Sequence, residues 1–364
     1  MRRSNRQNNM LLISHCRNRI NHLASNHYYR SAGAIAALVS VLAVFPAVAE
    51  QPKIDFYGKL HVSGDYLDDG DNGGLNVSSN SSRIGVKMAY ELEPGMRLIG
   101  QIERTIDMAE GQSTFSPRNT FVGVQGEWGT LRAGFYDSPV KRILNAVEQF
   151  REQVGEGRNI VRSGEMHFDR RLRSGIHYTS PTRNNLTWMA HYGTSEQTGA
   201  NTNTNNDVYS TSLTYALNGW TGIIGYEQQN RELNTALKGT RAALIRTNGA
   251  LTTALFYQYA SGMVTGTQQA YGVTGSYALD SQYSVKAQVF HRAADATNML
   301  DSTMFTVGIN RKVNAAVSLY ATASHTQNAQ LATANVSAGG HGKTLVIEPG
   351  NDPFALSVGL NWSF

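Results

Sequence analysis

The amino-acid sequence predicts an all-β chain whose strands cross a membrane as a closed antiparallel barrel. Three observations lead there. First, the last 11 residues, FALSVGLNWSF, alternate without a break: Phe354, Leu356, Val358, Leu360, Trp362 and Phe364 are large and apolar, and the residues between them are small or polar. That is the period of a strand, and about 9 to 11 tilted residues cross a bilayer, whereas a strand of a soluble sheet usually has about 5 or 6. Second, the alternation recurs along the chain with charges on the polar face of strand after strand. A soluble sandwich would turn its apolar faces inward against each other; this pattern suits a wet lumen and a lipid-facing exterior. Third, terse turns exchange with long polar loops, and after residue 49 no apolar run is long enough to span as a helix. A membrane passage there must be made by strands.

The first 49 residues stand apart. Arg2, Arg3, Arg6, Arg17, Arg19 and Arg30 come with no Asp or Glu, and the 14-residue apolar run AGAIAALVSVLAVF leads to Pro46 and Ala47-Val48-Ala49. A basic start, a short apolar core and a small-residue site predict an export signal over 1–49, cut before Glu50, and a barrel over 50–364. An N-terminal anchor is the alternative, and the cleavage motif argues against it; the length of the basic segment makes Met10 an alternative start. Of 32 Lys and Arg, 6 leave with this segment, and none of the 27 Asp and Glu do, so the mature balance is 26 minus 27, about −1. The basic character belongs to the leader and gives no reason to expect nucleic acid. The only cysteine, Cys16, leaves too. Disulfides, thiol chemistry and cysteine metal sites are thereby excluded, and no cofactor is expected.

From Glu50 the elements follow in order. IDFYGKLHVSGDY puts Ile54, Phe56, Leu60, Val62 and Tyr66 on one face and Asp55, Lys59, His61 and Asp65 on the other. SRIGVKMAYEL and MRLIGQIE, joined by LEPGM, alternate likewise, as does TLRAGFY. RLRSGIHYTS, NLTWMAHYG, LTTALFYQYA, YGVTGSYAL, QYSVKAQVFHR, FTVGIN and VSLYATAS carry the pattern to the final strand. YALDSQY and RKVNAAV read as short turns; DDGDNGGLNVSS, SEQTGANTNTNND and QNAQLATANVSAGGHGKTLVIEPGND read as long outer loops. At roughly 20 residues per strand and connection, the 315 residues after the leader suit about 16 strands. One segment departs from the meander. After TLRAGFY, Ser138 can cap a helix, Pro139 suits its first position, and Val140, Leu144, Val147 and Phe150 recur at helical spacing. A partly helical loop of this length inside a barrel is more often functional than decorative.

At these residues the chain resembles the general-diffusion porins of Gram-negative outer membranes. NSSRIGVKMAYELEPGMRLIGQIE is similar to their second and third strands. RNTFVGVQGEWGTLRAGFYDSP is similar to the fourth and fifth strands leading into the loop that folds back into the pore, and LSVGLNWSF to the closing strand with its terminal Phe. The resemblance implies a 16-stranded barrel with an inward-folded third loop, usually a homotrimer, set in outer-membrane lipid and lipopolysaccharide. It implies passive diffusion of ions and small hydrophilic solutes. It also implies that the aromatic end, Trp362 and Phe364, is read by the barrel-insertion machinery. Family porins set a ladder of arginines against carboxylates on the inserted loop, and the matching basic positions are Arg83, Arg118 and Arg171. Alternation adds Arg173 beside Arg171, Arg132 on its own strand, and Lys59 as an outlying member. On the acidic side the loop over 137–168 offers Asp137, Glu148, Glu152 and Glu156, with no choice among them from sequence. Because that loop also carries Lys141, Arg142 and Arg151, the sign of ion selectivity stays open.

Other motifs reduce to simpler readings. SAGGHGKT has Ser337 where a phosphate-binding loop requires Gly, and reads as a glycine-rich surface loop. Asp65, Asp68, Asp69 and Asp71 lack the spacing of a calcium loop and read as a solvated outer loop. His61, His177, His191, His291 and His325 fall on separate strands without metal-ligand spacing. Competing functions are a phosphate channel, a sugar channel with Tyr57 and Tyr136 as stackers, a barrel enzyme, and a non-conducting adhesin. No nucleophile, His and carboxylate set is concentrated anywhere, which disfavours the enzyme. If the terminal aromatic is an assembly signal, deleting Phe364 lowers the amount of heat-modifiable barrel in the membrane without altering synthesis; normal amounts would show that the motif is only a strand.

Overall fold

The computed structural model describes residues 51–110, 115–162, 164, 166–194, 206–231, 234–294 and 297–364; the expected leader and most of the SEQTGANTNTNND loop lie outside the described residues. Seventeen strand segments run in order: β1 Lys53–Asp68, β2 Gly73–Ser79, β3 Arg83–Glu93, β4 Met96–Thr105, β5 Pro117–Gly126, β6 Gly129–Asp137, β7 Arg171–Thr179, β8 Leu186–Gly193 and β9 Val208–Leu217. They continue with β10 Trp220–Arg231, β11 Asn234–Asn248, β12 Leu251–Met263, β13 Gly266–Ala278, β14 Tyr283–Ala294, β15 Ser302–Lys312, β16 Val317–Asn328 and β17 Phe354–Ser363. From β3 onward each pairs antiparallel with its neighbours in sequence.

Closure is made by β1, which pairs with β17 from Lys59↔Ser363 to Asp68↔Phe354. On its other side β1 pairs with β2 above (Val62↔Ser79) and β3 below (Lys59↔Arg83). These two segments form one wall strand, broken where Ser81 takes a positive φ of 51°. The sheet is therefore a closed 16-stranded barrel. The stretch after the aspartates, read as outer loop, is thus partly wall. Residues 208–248 contribute three strands that the sequence reading did not single out. Asn218-Gly219 and Asn248-Gly249 at their turns, where Asn218, Gly219 and Gly249 have positive φ, are the hairpin signal that marks them.

The outer face is a lipid-facing surface. In β17, Leu356, Val358, Leu360 and Trp362 are exposed while Ala355 and Ser357 are buried; in β1, Phe56 is 79% exposed. The two chain ends lock together: Gly58 N donates to the Phe364 carbonyl at 2.8 Å and Phe364 N to the Gly58 carbonyl at 3.1 Å. Gly58 is needed there, because a Cβ would lie 2.4 Å from the Phe364 ring.

The interior is divided in two. Ser138 caps α1 (Pro139–Val147), accepting from Lys141 N, and a second short helix, α2 (Arg158–Val161), follows. This loop lies on the inner wall of β9 to β16. Ile143, Leu144, Val147, Ile160 and Val161 bury against Ala243, Ala254, Phe256, Ala270, Phe290 and Met304 of that wall. The wall there carries an apolar patch among its polar side chains, where alternation alone suggested a polar face, and the loop covers it. Gly155 accepts at its carbonyl from both Gln288 and Thr306, and its φ of 70° and a Cβ approach of 2.3 Å to Thr306 Oγ1 both require glycine.

The last outer loop, residues 329–353, also departs from expectation: it folds inward instead of lying on the surface. Val336 packs with Val154, Leu67 and Ala355, and its carbonyl accepts from Gly155 N at 2.6 Å. Gly340 N donates to Glu156, and Gly342 N to Asn80 Oδ1. The glycines of SAGGHGKT permit this contact, since a Cβ on Gly342 would meet the Ser79 backbone at 2.5 Å. His341 Nε2 lies 3.1 Å from Asp65 Oδ2 with both side chains wholly buried. Asp65 therefore belongs to the inner wall, held further by Ser78 and Ser357, and not to the solvated acidic loop.

Loop docking and barrel closure should be separable. Phe290 is fully buried against Gly157 and Gly272. Phe290→Ala is expected to weaken docking by about 3 to 5 kcal/mol. Limited trypsin digestion of the refolded barrel should then cut within 138–170 while heat modifiability persists; an uncut loop would mean that its other contacts suffice.

Candidate functional site

With one wall covered, the charged inner face of β1 to β8 is what borders the free part of the lumen. Period two brings Lys59 of β1, Arg83 of β3, Glu103 of β4 and Arg118 of β5 to that face, and Glu152 reaches it from the inserted loop. Lys59 Nζ is 2.6 Å from Glu152 Oε2 and Arg83 Nη1 is 2.9 Å from Glu152 Oε1. Arg118 Nε is 2.6 Å from Glu103 Oε1, Arg83 Nε 3.7 Å from Glu103 Oε2, and Arg118 Nη2 3.9 Å from Glu152 Oε1. Three bases from three strands thus share two carboxylates. Glu152 sits at φ 65°, an uncommon conformation for a non-glycine residue, held by these partners.

Burial alone would raise the Glu152 carboxyl, but Lys59 and Arg83 beside it hold it down at about 2. The other acids of the loop differ. Glu148 accepts from Phe150 N and Gly157 N within the loop, and burial pushes it up. Glu156 accepts from Gly340 N; burial raises it, Arg158 opposes, and the neighbouring Glu148 and Asp169 add to the rise. Asp137 forms a second cluster, 2.9 Å from Lys141 Nζ and 3.3 Å from Arg171 Nε, with Asn119 bridging both.

The structure therefore brings Lys59, Arg83 and Arg118 together with Glu152, and Arg171 with Asp137. Glu148 and Glu156 face the loops instead. Arg173 does not join: Ser174, at φ 47°, interrupts the alternation, and the exposed Arg173 guanidinium lies 5.9 Å from the Phe135 ring centre. Arg132 lies on the inner face but apart from both clusters, 5.0 Å from the Tyr136 ring centre. Two members were not picked out from sequence. Glu103 closes MRLIGQIE on the parity of Gln101, so alternation could have found it. Asp169, paired with Arg158 and 3.5 Å from Arg241 Nη1, anchors the far end of the loop, and only the tertiary fold joins these residues. Trp362 and Phe364 are exposed on the outer face with rings 5.4 Å apart.

A closed antiparallel barrel with lipid-facing apolar rows and a charged lumen narrowed by its own loop defines an integral outer-membrane β-barrel protein. A family model described as Gram-negative porin matches residues 34–331, and the chain belongs to that family. The major outer membrane protein P.IB of Neisseria gonorrhoeae is 26% identical over 147 residues, 40% of this chain and 41% of that protein. The major outer membrane protein P.IA of Neisseria meningitidis serogroup C is 41% identical over 59 residues, 16% of this chain and 15% of that one. The matched part thus spans about two-fifths of the first relative. Among solved structures, the anion-selective porin from Comamonas acidovorans superposes with a TM-score of 0.73 at 17% identity, covering 86% of this chain and all of the other. The trimer form of OmpT, an outer membrane protein of Vibrio cholerae, gives 0.66 at 16% identity, with 86% of this chain covered.

The Glu152 cluster makes a pH prediction. Its carboxyl titrates below the ordinary 4.5, so its pairing contributes stability that is complete above about 4.5 and is lost as pH falls through about 2. The contribution is on the order of 3 kcal/mol. Conductance of the folded channel in bilayers should hold steady from neutral pH down through 4.5 and change only as pH approaches about 2, where the carboxyl takes up its proton, and Glu152→Gln should abolish that step. A step that survives in the variant would assign it to another acid.

Proposed function

We propose that the protein is a porin forming a water-filled channel for passive diffusion of ions and small hydrophilic solutes, working without catalysis. The observation that carries this reading is the cluster of Lys59, Arg83 and Arg118 from the wall facing Glu152 on the inserted loop. Opposed fixed charges across a narrow passage set a transverse field that orients dipoles and sorts ions without binding a ligand. Arg171 and Asp137 extend the same arrangement. A phosphate channel or sugar channel is the neighbouring alternative. The two candidate sugar stackers are otherwise engaged: Tyr57 donates to Glu103 at 2.9 Å, and Tyr136 lies beneath arginines.

The charge balance favours anions. Glu103, Glu152 and Asp137 are engaged by bases, whereas Arg132, Arg142 and Arg151 form no ion pair among the described residues. We further propose that residues 1–49 are removed as an export signal, that Phe364 acts in assembly, and that the protein works as a homotrimer, as the trimer form of the Vibrio cholerae neighbour suggests by its fold.

Reversal potentials in a salt gradient test the reading. Wild type should prefer anions, and Arg118→Glu with Arg171→Glu should shift preference toward cations. Asp69→Lys with Asp71→Lys on the outer loop should shift it much less at 0.1 M salt, where the Debye length is about 10 Å. Equal shifts in both variants, with both barrels heat-modifiable, would overturn the constriction; no conductance at all would overturn the channel.

A further inference from the structure

Away from the ion-paired cluster, the inner wall carries a row of side-chain nitrogens without hydrogen-bond partners. Arg132 of β6 faces His177 of β7, and His177 faces His191 of β8, as direct cross-strand partners. The Arg132 Nε, His177 Nδ1 and both ring nitrogens of His191 are buried without a hydrogen-bond partner. Arg132 donates one side-chain hydrogen bond, from Nη1 to Thr179 Oγ1 at 3.2 Å. Tyr136 organises the place: its ring lies 4.8 Å from His177 and 5.1 Å, edge-on, from Phe121. Two guanidiniums lie against it, Arg132 at 5.0 Å from the ring centre and Arg142 of α1 at 6.0 Å. Neither arginine forms an ion pair among the described residues, and the acid nearest in sequence, Asp137, is held by Lys141 and Arg171.

The geometry points to a binding site for a small carboxylate on the channel wall, formed by Arg132 and Arg142 around Tyr136 with His177 beside them. This rests on the channel reading and adds a solute class to it. A carboxylate supplies only acceptors, which is what unpartnered N–H groups lack, and its planar pair of oxygens matches the guanidinium fork. A cation is disfavoured by two adjacent positive groups. The Tyr136 ring lies against both guanidiniums, and the half-buried Arg132 loses part of its water, which strengthens a charge-assisted contact. Arg142 is exposed and comes from the inserted loop, so a solute meets it on passing the constriction.

The test is block of chloride current by succinate in planar bilayers, comparing wild type with Arg132→Lys, Arg142→Lys and both together. Lysine keeps the charge but loses the planar fork, so a field effect alone leaves the block as in wild type. A built site predicts an apparent dissociation constant about tenfold higher in each single variant, as loss of a bidentate charge-assisted contact implies. Unaltered block in the double variant, in channels that conduct, overturns the site and leaves the channel reading standing. If wild type inserts but passes no chloride, the channel reading fails. Calorimetric titration of succinate into the folded, detergent-held barrel then decides the site alone: binding weakened in both variants supports it, and binding that is absent or unchanged overturns it. Should the double variant fail to fold, Arg142→Lys, confined to the loop, carries the same comparison.

Discussion

Everything in this molecule follows from the requirement that no backbone polar group face hydrocarbon unpaired. The requirement is met by one pairing, β1 with β17, which converts a meander into a ring. The same pairing places the last residue against the first strand, with Gly58 and Phe364 exchanging two backbone hydrogen bonds under the aromatic ring. Once the ring is closed its interior volume is given by strand number, and whatever passes through must share that space with the loops.

How the space is shared depends on the contrast between the two walls. Alanine, phenylalanine and methionine side chains on the inner face of β11 to β15 form a surface whose exposure to water is unfavourable, and the loop's Ile143, Leu144 and Val147 cover it. Each such side chain fully buried contributes about 1.5 to 3 kcal/mol, enough together to hold a loop with little regular structure of its own. The opposite wall, rich in Lys and Arg, cannot be covered at that cost and stays open. Apolar attraction thus sets where the loop lies, and its Glu152 reaches across to Lys59 and Arg83 of the basic wall.

The charges divide by the same logic. Where a carboxylate is within reach, bases pair with it and its proton is held off; where burial dominates, as at Glu148 and Glu156, the acid is pushed the other way. Four acids of one loop, indistinguishable by composition, therefore take different roles. The inward fold of the 329–353 loop adds to this, because its backbone amide at Gly340 occupies Glu156 and its His341 occupies Asp65.

The sequence by itself determined the class: a two-residue period determines which side chain faces lipid, and chain length and turn spacing limit the number of strands. It also marked the helix start at Ser138, which is a local pattern, whereas Arg83 and Arg118 were assigned to the basic wall through the resemblance to porins. Three features were decided only by tertiary structure. Arg173 left the cluster because a single bulge at Ser174 breaks the period on which its placement depended. Glu152 was chosen over Glu148 and Glu156 because contacts across the barrel, 93 residues away at Lys59 and 69 at Arg83, hold it, and sequence distance carries no trace of them. The glycine-rich last loop turned inward because Asp65, Asn80 and Glu156 met it from three separate parts of the chain. Period and propensity are properties of neighbours in the chain; the pairing of a lone loop acid or histidine is set by the barrel that encloses it.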